Sequence, residues 1–335
     1  KELMQIMKQL VAEGKSIIFI THKLNEIKEV ANTCTVLRKG KVIDTVNVAD
    51  VSIEEMSEMM VGRKVDLNFD LGEPEIGKRV LKVRNLSIDN PKPGQKKLHN
   101  VSFDVNEGEI VCIAGVDGNG QSELVYALTG LIDNYTGQIF LNDEDVSDKS
   151  IRYRNTHGLS HVPEDRHRHG LILDYSLGKN LALQEYFESK FQKNGFMKFD
   201  VIKKYASKLI DQYDVRSGQG VDTIARSMSG GNQQKAIVAR EMEREHDLLI
   251  AVQPTRGLDV GAIEYIHSQI IGQRNSGKAV LLVSFELNEV MGISDRILVM
   301  HSGEIVGELK PKETTEQELG LYMAGAKKQE VIIND

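Results

Sequence analysis

The chain has 335 residues, of which 27% are charged, with a formal net charge of −7. Its length suits roughly two domains, and its acidic balance offers no concentrated basic face, so a nucleic-acid partner is not expected. The longest apolar runs, Ile17 to Ile20 and Ala279 to Val283, fall far short of the roughly 18 residues that span a bilayer, and the two cysteines sit singly in apolar segments as core thiols would.

The chain opens on KELMQIMKQL, which has helical periodicity without a cap or a signal-peptide core and reads as a helix cut from something larger. The stretch that follows, GKSIIFITHKLNEIKEV from Gly14, lies without a gap over GKAVLLVSFELNEVMGI from Gly277. The offset of 263 residues persists: VLRKGKVI falls on VMHSGEIV, and MMVG at Met59 falls on YMAG at Tyr322. Both copies place a capping-box pattern, Ser52 with Glu55 and Thr315 with Glu318, ahead of a last helix. Such a long period suits two tandem copies of one domain rather than a solenoid. Residues 1–62 are then the C-terminal remnant of a first copy, 63–79 a polar linker, 80–326 a second copy and 327–335 a tail. Met56, Met59 and Met60 form a helical stripe expected in a core.

In the second copy VLKVRNLSI and LHNVSFDV alternate like strands of an antiparallel sheet, and IVCIAGV is apolar throughout, as a strand buried on both faces should be. Next comes GVDGNGQS, Gly115 to Ser122, between that strand and the apolar-periodic ELVYALTGL. A phosphate-cradling loop needs this strand–loop–helix context. Gly115, Gly118 and Gly120 let the backbone wrap an anion, with Asn119, Ser122 and Glu123 beside it, while backbone amides and the helix dipole supply positive potential. Gln121 stands where such loops carry a Lys, and Ser122 keeps a hydroxyl for Mg²⁺. His157, His161, His167 and His169 lack partner thiols or zinc spacing and read as solvated loop residues. Residues of about 165–245 read mostly helical, and LLIAV and AVLLVSF are two further buried strands. The pattern implies an α/β domain with a mainly parallel sheet and a helical insert.

SMSGGNQQKAIVARE from Ser227 and LLIAVQPTRGLDVGA from Leu248 complete an ordered set of motifs. Ser229, Gly230, Gly231, Asn232 and Gln233 resemble the signature of ATP-binding cassette (ABC) proteins, and Pro254 to Asp259 resemble that family's D-loop. With QPTRGLDVGAIEYIH and HVPEDRHRHGL, the chain is similar to ABC transporter ATP-binding subunits of the simple-sugar and nucleoside importer type, which carry two cassettes on one chain. The resemblance implies the P-loop NTPase fold. It implies ATP and Mg²⁺ as ligands, membrane permease subunits and indirectly a substrate-binding protein as partners, and a peripheral place on the cytoplasmic face of the plasma membrane. It also implies a head-to-tail partner cassette, with each composite site built from one cassette's loops and the other's signature.

Against that pattern the second copy departs repeatedly. Beside Gln121, Val252 replaces the magnesium-strand Asp and Gln253 the catalytic Glu. Glu164 replaces the lid glutamine, leaving it and Ser122 as weak Mg²⁺ candidates. The switch histidine of the first copy, His22, aligns with Phe285, and Asn90 or a neighbour stands where an adenine-stacking aromatic is expected. His22, Ser229 to Gly231 and Asp259 all serve the site built on the first cassette, whereas every damaged position belongs to the other. The expectation is an asymmetric pair with one working site, and weak or no turnover by this chain alone. A non-transport cassette protein, such as a translation or DNA-repair factor, and a ligand-free structural cassette are the alternatives.

Overall fold

The computed structural model describes residues 2–21, 23–38, 40–66, 69–89 and 96–329. They form two compact units, one of residues 1–68 with Gly257–Tyr265, the other of Phe69–Arg256 with Ile266–Asp335.

In the first unit, α1 (Glu2–Ala12) is followed by α2 (Leu24–Val30), a ribbon of β1 (Thr33–Arg38) and β2 (Lys41–Asn47), and α3 (Ile53–Val61). The Ser52 side chain accepts from the Glu55 N–H and the Glu55 carboxylate from the Ser52 N–H, so the predicted capping box closes α3 at its start. A small core of Leu24, Ile27, Val48 and Met56 holds the unit, with Met60 and Val260 packed against it. Met56 is fully buried, as its stripe predicts, while Cys34 is only half-buried.

The second unit begins with β3 (Arg79–Asp89), β4 (Lys96–Asn106) and β5 (Ile110–Ala114), then α4 (Gln121–Thr129), β6 (Thr136–Leu141), β7 (Glu144–Asp145), α5 (Ile151–Thr156) and β8 (Leu159–Val162). A π-helical turn, Arg166–Gly170, leads into α6 (Leu177–Ala182), the hairpin β9 (Gln192–Lys193) and β10 (Phe196–Met197), α7 (Phe199–Gln212) and α8 (Gly230–Glu243). The expected helical insert therefore carries a short β-hairpin that the helical reading does not contain. The chain continues through β11 (Leu248–Val252), α9 (Val260–Asn275), whose first residues belong to the other unit, β12 (Ala279–Ser284), α10 (Leu287–Ile293), β13 (Arg296–His301), β14 (Glu304–Leu309) and α11 (Glu316–Met323).

Among the described residues the main sheet runs β14-β13-β5-β12-β11-β8, parallel except for the edge strand β14. A second, antiparallel sheet runs β4-β3-β6-β7. Both are predicted by their patterns: β5, β11 and β12 are buried at every position, as strands covered on both faces must be. One continuous core joins the two sheets through Phe103, Ile113, Leu124, Leu128, Ile250 and Leu281.

The repeat recurs in the coordinates at the same offset of 263 residues. Helix α2 recurs as α10, and the β1–β2 ribbon recurs as β13–β14, down to an irregularity in pairing after Val36 and after Val299. One part fails to recur. By the alignment, residues 16–21 should form a strand like β12, yet they are not in a strand and leave Ile18 96% and Ile20 99% exposed. The physical reason is pairing. β12 exchanges hydrogen bonds with β5 on one side and β11 on the other, and no such neighbours flank residues 16–21 among the described residues.

Candidate functional site

The carboxyl ends of β5, β12, β11 and β8 converge on one edge of the parallel sheet, where α/β proteins bind ligands. The register pairs Ala114 with Ser284, Val252 with Val283 and Ala251 with Val162. These pairings bring the loop after Gly115, Val252, Gln253, Phe285 and Glu164 to the same edge, although they are far apart in sequence.

The loop from Gly115 to Gly120 turns straight into α4. At Gly115 a Cβ would collide with the Gln121 Nε2 and the Met300 carbonyl oxygen, so only glycine fits. Gly120, the residue before α4, has φ +107°, and a Cβ there would press on the Lys97 carbonyl oxygen at 2.7 Å. Gln121 is 1% exposed. Its Oε1 accepts from the backbone N–H of Asn119 at 3.1 Å and its Nε2 donates to the Val116 carbonyl at 3.2 Å. Asn119 in turn donates from Nδ2 to the Val116 carbonyl and accepts at Oδ1 from the Ser302 N–H, tying the loop to the β13–β14 turn. Ser122 is half-buried in the first turn of α4, and Glu123 pairs with Lys97 at 2.8 Å.

At the end of β11, Val252 is buried and apolar. Gln253 follows with φ +46°, in the left-handed region that side-chain-bearing residues seldom occupy. Its N–H donates to the Val283 carbonyl, while its buried Nε2 makes no hydrogen bond. Glu164 accepts from Arg256 Nη1 at 2.6 Å. The sequence reading takes Glu164 as a weak Mg²⁺ candidate, and here its carboxylate is met by Arg256. Phe285 is half-buried and carries no group able to hold a phosphate. Among the described residues no group of three or more His, Cys, Asp or Glu is arranged to hold a metal ion. With Val252 apolar and Glu164 engaged with Arg256, these residues do not fit a magnesium site on this loop.

The segment from Ser229 lies on other elements of the same unit. Ser229 is exposed at the N-cap of α8, and its Oγ accepts from Asn232 Nδ2, whose Oδ1 accepts from the Arg216 N–H. The π-helical turn clamps this end of α8: Arg166 donates to the Gly230 carbonyl at 3.2 Å, and His167 Nε2 lies 3.0 Å from Gln233 Oε1. Asp165 accepts from the N–H groups of His167 and Arg168, which caps the turn and holds its own carboxyl below the usual range. Arg166, His167 and Arg256 lie in stretches the sequence singles out, but their contacts escape sequence reasoning because nothing in their spacing shows what they touch. Asp259 lies in the first unit, exposed, where its Oδ1 accepts from the Ala262 N–H and caps α9. His22 and Asn90, singled out by the sequence, lie outside the described residues.

Two of the four histidines are not the solvated loop residues their sequence suggests. His161 is part of β8, and with His169, Asn155, Gln184, Arg240 and Glu241 it lines a cavity of about 100 Å³. The Nε2 atoms of His161 and His169 are buried without hydrogen-bond partners. Burial pushes the His161 imidazole down to about 4 against the opposing pull of Glu241, whose carboxylate is held by Arg240 and Arg244.

The family profile described as ABC transporter matches residues 98–256. The nucleoside import ATP-binding protein NupA of Lactococcus lactis subsp. cremoris is 50% identical over 97% of this chain, which covers 64% of that protein. The guanosine import ATP-binding protein NupO of Bacillus subtilis is 50% identical over 98% of this chain, again covering 64% of the relative. The ribose import ATP-binding protein RbsA of Clostridium tetani is 36% identical over 96% of this chain and 62% of the relative. The chain thus spans somewhat less than two thirds of these proteins. Among solved structures, a nucleotide-free ATP-binding cassette from an ABC transporter superposes with a TM-score of 0.59 at 20% identity, over 74% of this chain and 96% of that one. A cassette solved as a dimer with ADP and phosphate gives 0.61 at 22% identity, over 70% and 100%.

Proposed function

We propose that the chain belongs to the ABC transporter family of ATP-binding proteins and is part of the energy-coupling subunit of an importer for nucleosides or simple sugars. The names of relatives at 50% identity support nucleosides first, with sugars supported by the ribose relative. In this reading residues 80–326 form a cassette whose own nucleotide site is degenerate and whose Ser229 to Asn232 segment, with Asp259, serves the site of a head-to-tail partner cassette. ATP and Mg²⁺ work in that partner site, with His22 contributing from residues 1–62. The subunit sits at the cytoplasmic face of the membrane against permease subunits, and meets a substrate-binding protein only through them.

One observation carries the reading: the losses fall on one side. At the sheet edge a buried Val252, an amide at Gln253, an aromatic at Phe285 and a filled loop at Gln121 stand where acid, base, switch and cation are needed. The Ser229 end of α8, by contrast, keeps its exposed serine, its glycines and a clamp of hydrogen bonds beneath them. An amide has no useful basicity for activating water, a role worth about 10²–10⁴-fold. Steady-state assay of the purified 335-residue chain with Mg-ATP tests this. The expected result is no turnover above background, and hydrolysis at about 1 s⁻¹ or faster, as in intact ATPases, would refute the degenerate site.

A further inference from the structure

We infer that Gln121 is a built-in competitor for the phosphates of a nucleotide: its carboxamide occupies the loop that would cradle them, and nucleoside di- or triphosphate binds only by displacing it. The inference rests on reading Gly115 to Ser122 as a nucleotide loop.

The geometry has three parts. First, the side chain folds back into the loop instead of projecting from it. It bridges the Asn119 N–H and the Val116 carbonyl, and the space a Cβ would take at Gly115 is filled by its Nε2. Second, it is enclosed, at 1% exposure, although Val116, Asp117 and Gly118 around it are exposed. Third, the group it satisfies is a backbone donor in the middle of the loop. Backbone N–H groups in such loops are what bind an anion, so a phosphate oxygen and the Gln121 Oε1 compete for the same hydrogen.

The chemistry distinguishes this from mere loss of a charge. A lysine has donors and no acceptor, so it can bond the Val116 carbonyl but leaves the Asn119 N–H open to phosphate. Glutamine carries both, and only its acceptor blocks the amide. Gln121 thus acts in two ways: it withholds a cation from the phosphates, and it occupies a donor they need. Deleting the side chain removes no charge, so it leaves binding unchanged if only the first mattered and strengthens binding if the second does.

The test uses the 335-residue chain, which contains one loop of this type, and titrates ADP and inorganic pyrophosphate by calorimetry into wild type, Gln121→Ala and Gln121→Lys. Losing one competing neutral hydrogen bond corresponds to about three- to tenfold tighter binding in Gln121→Ala, with Gln121→Lys tighter still. Gln121→Ala binding equal to or weaker than wild type, while Gln121→Lys binds, overturns the competitor and leaves the nucleotide loop standing. Failure of all three to bind overturns the loop reading and the competitor with it. Amide hydrogen exchange on wild type needs no variant to fold. The Asn119 N–H is expected to be protected without ligand, and exchange at the rate of an open loop amide contradicts the proposal.

Discussion

Arg256 Nη1 lies 2.6 Å from Glu164 Oε1, linking the turn after β11 to the end of β8. The pair is solvent-facing on the arginine side, where 61% of the side chain is exposed, so its value to stability is under about 1 kcal/mol. Its consequence is local charge. Glu164→Gln leaves the Arg256 guanidinium unpaired and is expected to tighten ADP binding, whereas Arg256→Ala uncovers the carboxylate and weakens it, each by about threefold or more. Titration of ADP at two ionic strengths checks both, since the Arg256→Ala effect should shrink in high salt.

Arg166 supports the Ser229 end of α8 through the Gly230 carbonyl. It touches no reacting atom, so it is a positioning residue. In the two-cassette protein proposed above, Arg166→Ala is expected to lower ATP turnover by roughly tenfold, in line with the loss of one charge-assisted hydrogen bond of about 1.5 kcal/mol. Arg166→Lys should recover part of it. Equal loss in both variants would show that the planar guanidinium, rather than the charge, fixes Gly230.

Arg154 is 1% exposed and donates to the carbonyls of Ala127 and Leu128, closing the C-terminal end of the helix that begins at Gln121. It also reaches Ser147 and Tyr135. Arg154→Ala leaves several buried acceptors unpaired and should destabilise the fold by about 3 kcal/mol or more. Urea unfolding of wild type and variant gives the difference.

The His161 ring is held neutral, with its folded value pushed down to about 4 by burial among His169, Arg240 and Glu241. The unfolded chain therefore takes up this proton first, near the ordinary value of about 6.5. Stability from this group is fully present above that value and is lost as pH falls from about 6.5 towards 4, by at most about 1.4 kcal/mol per pH unit. His161→Gln should flatten the fall. Denaturant midpoints measured between pH 7 and 4.5 provide the comparison, and parallel slopes in wild type and variant would contradict the assignment.

Much of this architecture is legible in the sequence because it depends on local periodicity. The fully apolar β5, β11 and β12, the capping box at Ser52 and the 263-residue repeat all declare themselves in short windows of sequence. The repeat misleads at residues 16–21, where strand propensity is present but no pairing partner flanks them among the described residues. The site is legible as a set of residue types and not as a set of contacts. That Gln121 turns inward, that Arg256 meets Glu164 across 92 residues and that His161 is enclosed all depend on which strands become neighbours. Composition near each residue says nothing about that.

The proposed asymmetry sets the loop at Gln121 against the segment at Ser229. It is tested most directly by ATP hydrolysis of the proposed two-cassette protein carrying either Ser229→Arg or Gln121→Ala. The account predicts that Ser229→Arg, which puts a bulky cation at the exposed N-cap of α8, abolishes most of the turnover, while Gln121→Ala leaves it within about twofold of wild type. A larger loss from Gln121→Ala than from Ser229→Arg would contradict it.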